Sequence, residues 1–207
     1  MIIDRDKILF AILAGGQSKR FGGGFKTFSK IDGETILDII IKKLKKYSRD
    51  IIINANSLKD FKSINQPIVM DKLNGFLGPL AGIHTSMSYA KNKYLNKEWI
   101  FTVPSDTPYL PENLLDKFLE TFDNQNIKIL IARSNNRHHP VIAMWHISLL
   151  QNLEDELKSK NYKIMYWVKK HNYKFVEFNS DQEKNFFNIN TKEDLSNAKK
   201  INIYNSI

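Results

Sequence analysis

The sequence predicts an α/β fold with a mostly parallel central sheet. Three observations carry that expectation. Strand-like apolar runs alternate with helix-like segments of roughly 10–15 residues, the spacing that βαβ units require. Two of the runs, Lys7–Leu13 and Trp99–Val103, are nearly continuous in apolar residues, as strands buried on both faces are. A glycine-rich loop follows the first of them, at the carboxyl end of a strand, where open α/β sheets bind ligands.

The elements follow in order. Lys7–Leu13 is the first strand, and the loop from Gly15 to Lys26 holds five of the nine glycines. Thr35–Tyr47 reads as a helix because Ile36, Ile39, Ile40 and Leu44 share one face. Asp50–Asn54 and Pro67–Met70 read as short strands, and Gly78–Lys91 as a helix entered through a Gly-Pro pair. Trp99–Val103 is a buried strand that Pro104-Ser105-Asp106-Thr107-Pro108 breaks. Pro111–Phe122 reads as a helix with proline in its first turn. Ile127–Ala132 and Pro140–Trp145 are strands, Ile147–Lys160 and Lys163–Lys170 helices, and Tyr173–Phe178 is extended. Thr191 opens a last helix, with Glu193 and Asp194 placed to complement its dipole. The aromatics Tyr166, Trp167, Phe186 and Phe187 are expected in the core.

At 207 residues, without a repeat, linker or shift in composition, the chain is expected to form a single domain, residues 1–207. It contains no cysteine, which excludes a disulfide scaffold, a thiolate metal site and a cysteine nucleophile. The apolar start is short, preceded by Asp4 and Asp6, and no run reaches the roughly 20 residues of a membrane span, so a cytoplasmic protein without membrane contact is expected. The net charge of +9 has two readings: an anionic partner such as a nucleotide, or a compositional bias toward lysine. The densest basic run, Lys42–Lys46, reads as the solvated face of a helix. No nucleic-acid motif accompanies the charge, so nucleic acid is not an expected partner.

The chemistry concentrates in Leu13-Ala14-Gly15-Gly16-Gln17-Ser18-Lys19-Arg20-Phe21-Gly22-Gly23-Gly24-Phe25-Lys26. Glycines let backbone N–H groups approach phosphate oxygens, and Lys19, Arg20 and Lys26 add positive charge. Phe25 separates Gly24 from Lys26, so this is not a P-loop, and Thr27 stands where a dinucleotide fingerprint needs its last glycine.

The pattern L-A-G-G-x-S-x-R-x-G followed by lysine resembles the signature loop of the nucleotidyltransferases. Within them the chain most resembles the molybdenum cofactor guanylyltransferases. Ile53-Asn54-Ala55-Asn56, Val69-Met70-Asp71, Gly78-Pro79-Leu80-Ala81-Gly82, Pro104-Ser105-Asp106-Thr107-Pro108, Arg137-His138-His139-Pro140 and Asn188–Leu195 match that family's motifs in order. The resemblance covers residues 7–198. It departs at Phe25, where the family often has an acidic residue, which removes a local carboxylate partner for Lys26.

The resemblance implies a Rossmann-like three-layer sandwich of the nucleotide-diphospho-sugar transferase type. It implies transfer of GMP from GTP to the phosphate of molybdenum-loaded molybdopterin, with release of pyrophosphate. Arg20, Lys26 and Asp106 would be catalytic; Leu13, Ala14, Gly15, Gly16, Lys26, Asn54, Asp71 and Asp106 would bind the nucleotide. Asp106 would hold Mg²⁺, a hard cation that takes one or two carboxylates and completes its shell with substrate phosphates. Gly82, Arg137, His139 and Asn190 would serve the acceptor, and adjacent histidines in an extended segment point apart, which argues against a histidine metal site. The implied partners are GTP, molybdopterin, a molybdenum-inserting protein, and molybdoenzymes or their chaperones. Two alternatives stay open: a related transferase using CTP or another phosphate acceptor, and a noncatalytic nucleotide-binding regulator.

Overall fold

A computed structural model describes residues 3–15, 26–73, 78–123, 126–178 and 185–203, with side chains through residue 200. The strands are β1 (Ile8–Leu13), β2 (Lys30–Ile31), β3 (Glu34–Thr35), β4 (Ile51–Asn54), β5 (Ile68–Val69), β6 (Trp99–Pro104), β7 (Ile129–Ser134), β8 (Arg137–His146) and β9 (Tyr173–Phe178). The helices are α1 (Ile36–Leu44), α2 (Pro79–Lys93), α3 (Leu114–Thr121), α4 (Leu150–Lys158), α5 (Ile164–Val168) and α6 (Lys192–Ile203). Among the described residues seven strands form one sheet in the order β5-β4-β1-β6-β8-β7-β9. Only β8 runs against its neighbours; β4, β5 and β6 are parallel to β1, and β9 is parallel to β7.

The apolar runs explain the layering. Along β1, Ile8, Phe10 and Ile12 face one side of the sheet with α1 and α3, while Leu9 and Ala11 face the other with α2, α4 and α5. Both faces are therefore covered, and the result is the three-layer Rossmann-like sandwich that the resemblance implied. On the first side Phe101 stacks on Phe10 at 5.2 Å and meets Phe118 at 4.7 Å. On the second, Trp145 packs on Trp167 at 5.8 Å and donates from Nε1 to Thr102 Oγ1 at 2.9 Å.

Several boundaries differ from the sequence reading, each for a local reason. Pro111 does not sit in the first turn of α3; residues 111–113 form a turn and the helix begins at Leu114. β8 starts at Arg137 rather than Pro140, because Asn135 and Asn136, with φ of 48° and 59°, close a tight hairpin directly onto it. A second hairpin, β2–β3, turns on Asp32-Gly33, both at positive φ. Tyr166 is not core: it is 55% exposed beneath the Lys170 ammonium, while its neighbour Trp167 is fully buried. The basic run, which straddles the end of α1, is partly tied down, since Lys43 and Lys46 both pair with Glu112. No helix among the described residues is long and apolar enough to cross a membrane.

Candidate active site

Register brings the carboxyl ends of three parallel strands level, with Leu13 beside Asn54 on one side and Pro104 on the other. Because β8 is antiparallel to β6, its first residues arrive at the same edge. Between them lies a cleft of about 440 Å³, within the size range of small-molecule sites. One wall carries Leu13, Gly15, Asn54, Asn56 and Asp71; the opposite wall carries Arg137 through Ile142. Asp106 and Asn188 lie in the lining as well.

The first wall is built around a buried amide. Asn54 is 2% exposed and donates from Nδ2 to Val69 O at 3.1 Å and to Asp71 Oδ1 at 2.8 Å. The Asp71 carboxylate is thus aimed by a group that cannot move into water. Its neighbour Lys72 is fixed to α2, by Thr85 through the backbone and Ser88 through Nζ. α2 itself is capped by Gly78, whose φ of 73° favours glycine, and starts at Pro79; both residues line the cleft.

Gly82 occupies a different place from the one expected. It is buried in α2 behind Asn54 and does not line the cleft. A Cβ there would collide with Asn54 Oδ1 and stand 3.2 Å from Leu13 Cδ2. Its assignment to the acceptor is therefore corrected: Gly82 acts by making room for Asn54. Gly82→Ala is expected to push Asn54 off Asp71 and weaken nucleotide binding by about tenfold, the equivalent of one charge-assisted hydrogen bond. Calorimetric titration of the folded variant with GTP checks this.

The charge centre lies at the end of β6. Lys26 Nζ is 2.6 Å from Asp106 Oδ2 and donates to Asn190 Oδ1 at 2.9 Å. The missing local partner before Lys26 is thus replaced by a carboxylate 80 residues away. Thr107 Oγ1 donates to Asn188 Oδ1 and lies 3.2 Å from Asp106 Oδ1. The backbone closes the arrangement, with Ile189 N donating to Asp106 O at 2.9 Å. Among the described residues no three histidine or carboxylate side chains gather into a metal cluster. The donor set still fits Mg²⁺: Asp106 Oδ2 and Asn190 Oδ1 are hard oxygens that already converge on one cation, the Lys26 ammonium.

On the second wall the adjacent histidines do point apart. His138 stacks on Phe175 at 4.3 Å, and His139 stacks on Phe186 at 4.6 Å while its Nε2 lies 2.8 Å from Ser134 Oγ. Burial pushes the His139 imidazole down to about 4, and the Arg137 guanidinium acts in the same direction. His139 is therefore neutral near pH 7, and Arg137 supplies the positive charge on this wall.

The family model described as the MobA-like NTP transferase domain matches residues 10–174. The chain belongs to this family. Over 184 residues it is 33% identical to a Shewanella putrefaciens protein named molybdenum cofactor guanylyltransferase, a match spanning 88% of this chain and 91% of that one. A protein of the same name from Nitrobacter hamburgensis is 33% identical over 192 residues, spanning 92% of each. The crystal structure of molybdopterin-guanine dinucleotide biosynthesis protein A from Archaeoglobus fulgidus shares the fold, with a TM-score of 0.71 at 20% identity over 93% of this chain and 97% of that one.

In this MobA-like domain Leu13, Gly15, Asn54, Asp71, Asp106, Arg137 and His139 meet in one cleft. Lys26 and Asn190 meet at Asp106. Ala14 is buried and serves the frame, its N–H donating to Asn54 O at 2.8 Å. Gly16 and Arg20 lie outside the described residues. The sequence reading held Asn56, Thr107, Pro140 and Asn188 within motifs but gave them no site role, and it missed Val141 and Ile142. Asn188 had a signal, the N-x-N repeat with Asn190; the apolar strand residues Val141 and Ile142 had none.

Proposed function

We propose that this protein is a Mg²⁺-dependent molybdenum cofactor guanylyltransferase, transferring GMP from GTP to molybdenum-loaded molybdopterin. The observation that carries the reading is the Lys26–Asp106 pair, set between a wall built on Asn54 and Asp71 and a wall built on β8. The shared name of the relatives supplies the guanine and the molybdopterin.

In the proposed reaction a terminal phosphate oxygen of molybdopterin attacks the α-phosphorus of GTP. The new P–O bond forms as the bond to the β-phosphate oxygen breaks, and pyrophosphate leaves with the electron pair. No covalent enzyme intermediate is needed, so the work is positioning and charge stabilisation. Asp106, with Asn190 beside it, would hold Mg²⁺, which when bound neutralises phosphate charge. Lys26 would place its ammonium against the phosphates as a point charge. Asp71, aimed by Asn54, presents a carboxylate suited to accept from guanine ring N–H groups. Arg137 would face the acceptor phosphate, and His139, neutral and stacked, would shape the acceptor wall without adding charge. Arg20 and Gly16 would belong to the phosphate-binding loop. The reading includes a single domain acting in the cytoplasm, with the cofactor received from a molybdenum-inserting protein and passed to molybdoenzymes or their chaperones.

The test is pyrophosphate release with Mg²⁺ and molybdenum-loaded molybdopterin, run with GTP, CTP, ATP and UTP in parallel. Acceptor-dependent release with GTP alone is the expected result. Release with CTP instead would overturn the guanine assignment. Silence with every nucleotide, from folded protein and an active acceptor preparation, would overturn the transferase reading.

A further inference from the structure

Phe186 adopts φ of +65°, a left-handed conformation that a bulky aromatic residue seldom takes. Such a conformation is costly and persists only where its surroundings over-determine it. The surroundings here are specific. The ring is 4% exposed, stacked on the His139 imidazole at 4.6 Å with the planes 28° apart. Phe178 meets it edge-on at 5.1 Å and 78°. His139 is itself tied to Ser134 at 2.8 Å, and Ser134 pairs in register with Phe178 at the end of β9. The ring is therefore gripped by the start of β8 and the end of β9, with β7 bracing His139 from behind.

What leaves this corner is the irregular segment that completes the charge centre. Phe186 N donates to Tyr109 O at 2.9 Å, and Ile189 N donates to Asp106 O at 2.9 Å. Between and after these anchors Asn188 reaches Thr107, and Asn190 reaches Lys26. Asn190 N and Thr191 N then donate to Asp194 Oδ2 at 2.9 and 2.8 Å, which fixes the start of α6. A glycine or asparagine would take φ of +65° more cheaply, so the cost of phenylalanine is offset by what its ring holds.

We propose that Phe186 is a positioning residue for the charge centre: its ring, clamped between His139 and Phe178, fixes the corner from which Asn188 and Asn190 are delivered to Thr107, Lys26 and Asp106. It also ties the β8 wall to Asp106 mechanically, through His139, Phe186 and Ile189 in turn. The inference rests on the proposed transferase reading for what the charge centre does.

Phe186→Gly keeps the backbone conformation accessible and deletes the ring; Phe186→Tyr keeps the ring. Both are compared with the unaltered protein by Mn²⁺ titration in the presence of GTP, read by water-proton relaxation, alongside kcat for pyrophosphate release. The glycine variant is expected to need about tenfold more Mn²⁺ for half-saturation and to lose at least about tenfold in kcat, since small displacements of positioning groups cost up to about 10²-fold. Its affinity for GTP should change by less than about twofold, because Asn54 and Asp71 stand on the other wall. The tyrosine variant should restore both values. A purely structural role predicts a lower melting temperature with unchanged Mn²⁺ half-saturation and kcat at a temperature where the variant is folded, and that result would overturn the proposal. Should the glycine variant not fold, Phe178→Leu loosens the same clamp without touching the segment; it should shift Mn²⁺ half-saturation the same way, and no shift overturns the proposal. An unaltered protein that binds neither GTP nor Mn²⁺ removes the transferase reading and this inference together. One that binds both, matched by the glycine variant, removes the inference alone.

Discussion

Asp106→Ala is expected to leave the protein folded and to lower kcat/KM for pyrophosphate release by at least about 10³-fold, the scale of losing a principal charge-stabilising group. Folding should survive because the contact that secures the neighbouring segment, Ile189 N to Asp106 O, uses the backbone and not the carboxylate. Thr107 keeps its bond to Asn188. The Lys26 ammonium loses one oxygen partner but keeps Asn190 and some access to water, its side chain being 17% exposed. The stability cost should stay below about 2 kcal/mol. Near-UV circular dichroism and chemical denaturation report the fold, and the pyrophosphate assay reports the chemistry. A folded variant with full Mg²⁺-dependent activity would remove Asp106 from the mechanism.

Lys26→Met is expected to lower kcat by about 10²–10³-fold, again the loss of one preorganised charge. A second readout moves the opposite way. The ammonium stands between Asp106 Oδ2 and Asn190 Oδ1, the two oxygens that suit a divalent cation. Deleting it should tighten Mn²⁺ binding in the absence of nucleotide, because the cation no longer competes with a covalently tethered one. General damage to the site would weaken both metal binding and turnover. Tighter metal binding with slower turnover is the signature of a lysine that holds the metal position until phosphate draws it away. Calorimetry with Mn²⁺ alone gives the first number and the pyrophosphate assay the second.

The fold was legible where patterning is local. β9 falls on Tyr173–Phe178 as read, because alternation places Tyr173 and Phe175 on one face and Val176 and Phe178 on the other. β1 and β6 were legible from their unbroken apolar runs. The start of β8 was not, since Arg137-His138-His139 reads as polar loop and becomes strand only by pairing with β7 across a tight turn. Tyr166 was misplaced because helix periodicity cannot tell which of two adjacent aromatics meets the sheet. For the site, the residue types at strand ends pointed to nucleotide chemistry, and the ordered motifs pointed to the family. Their mutual geometry lay beyond sequence reasoning: Lys26 meets partners 80 and 164 positions away. Gly82 illustrates the limit, since its purpose becomes visible only with Asn54 packed against it.

The placement of β8 has a consequence for how such a protein diversifies. Reversing one strand puts the turn end of the β7–β8 hairpin opposite Leu13 and Asn54. The two walls of the cleft are therefore written in separate stretches of the gene, one before Asp71 and one after Arg137, with Asp106 between them. Substitutions in the hairpin can reshape the chamber's far side while the near side keeps its register on β1 and β4. Under the proposed function, the acceptor could thus change through the hairpin while the nucleotide is held as before.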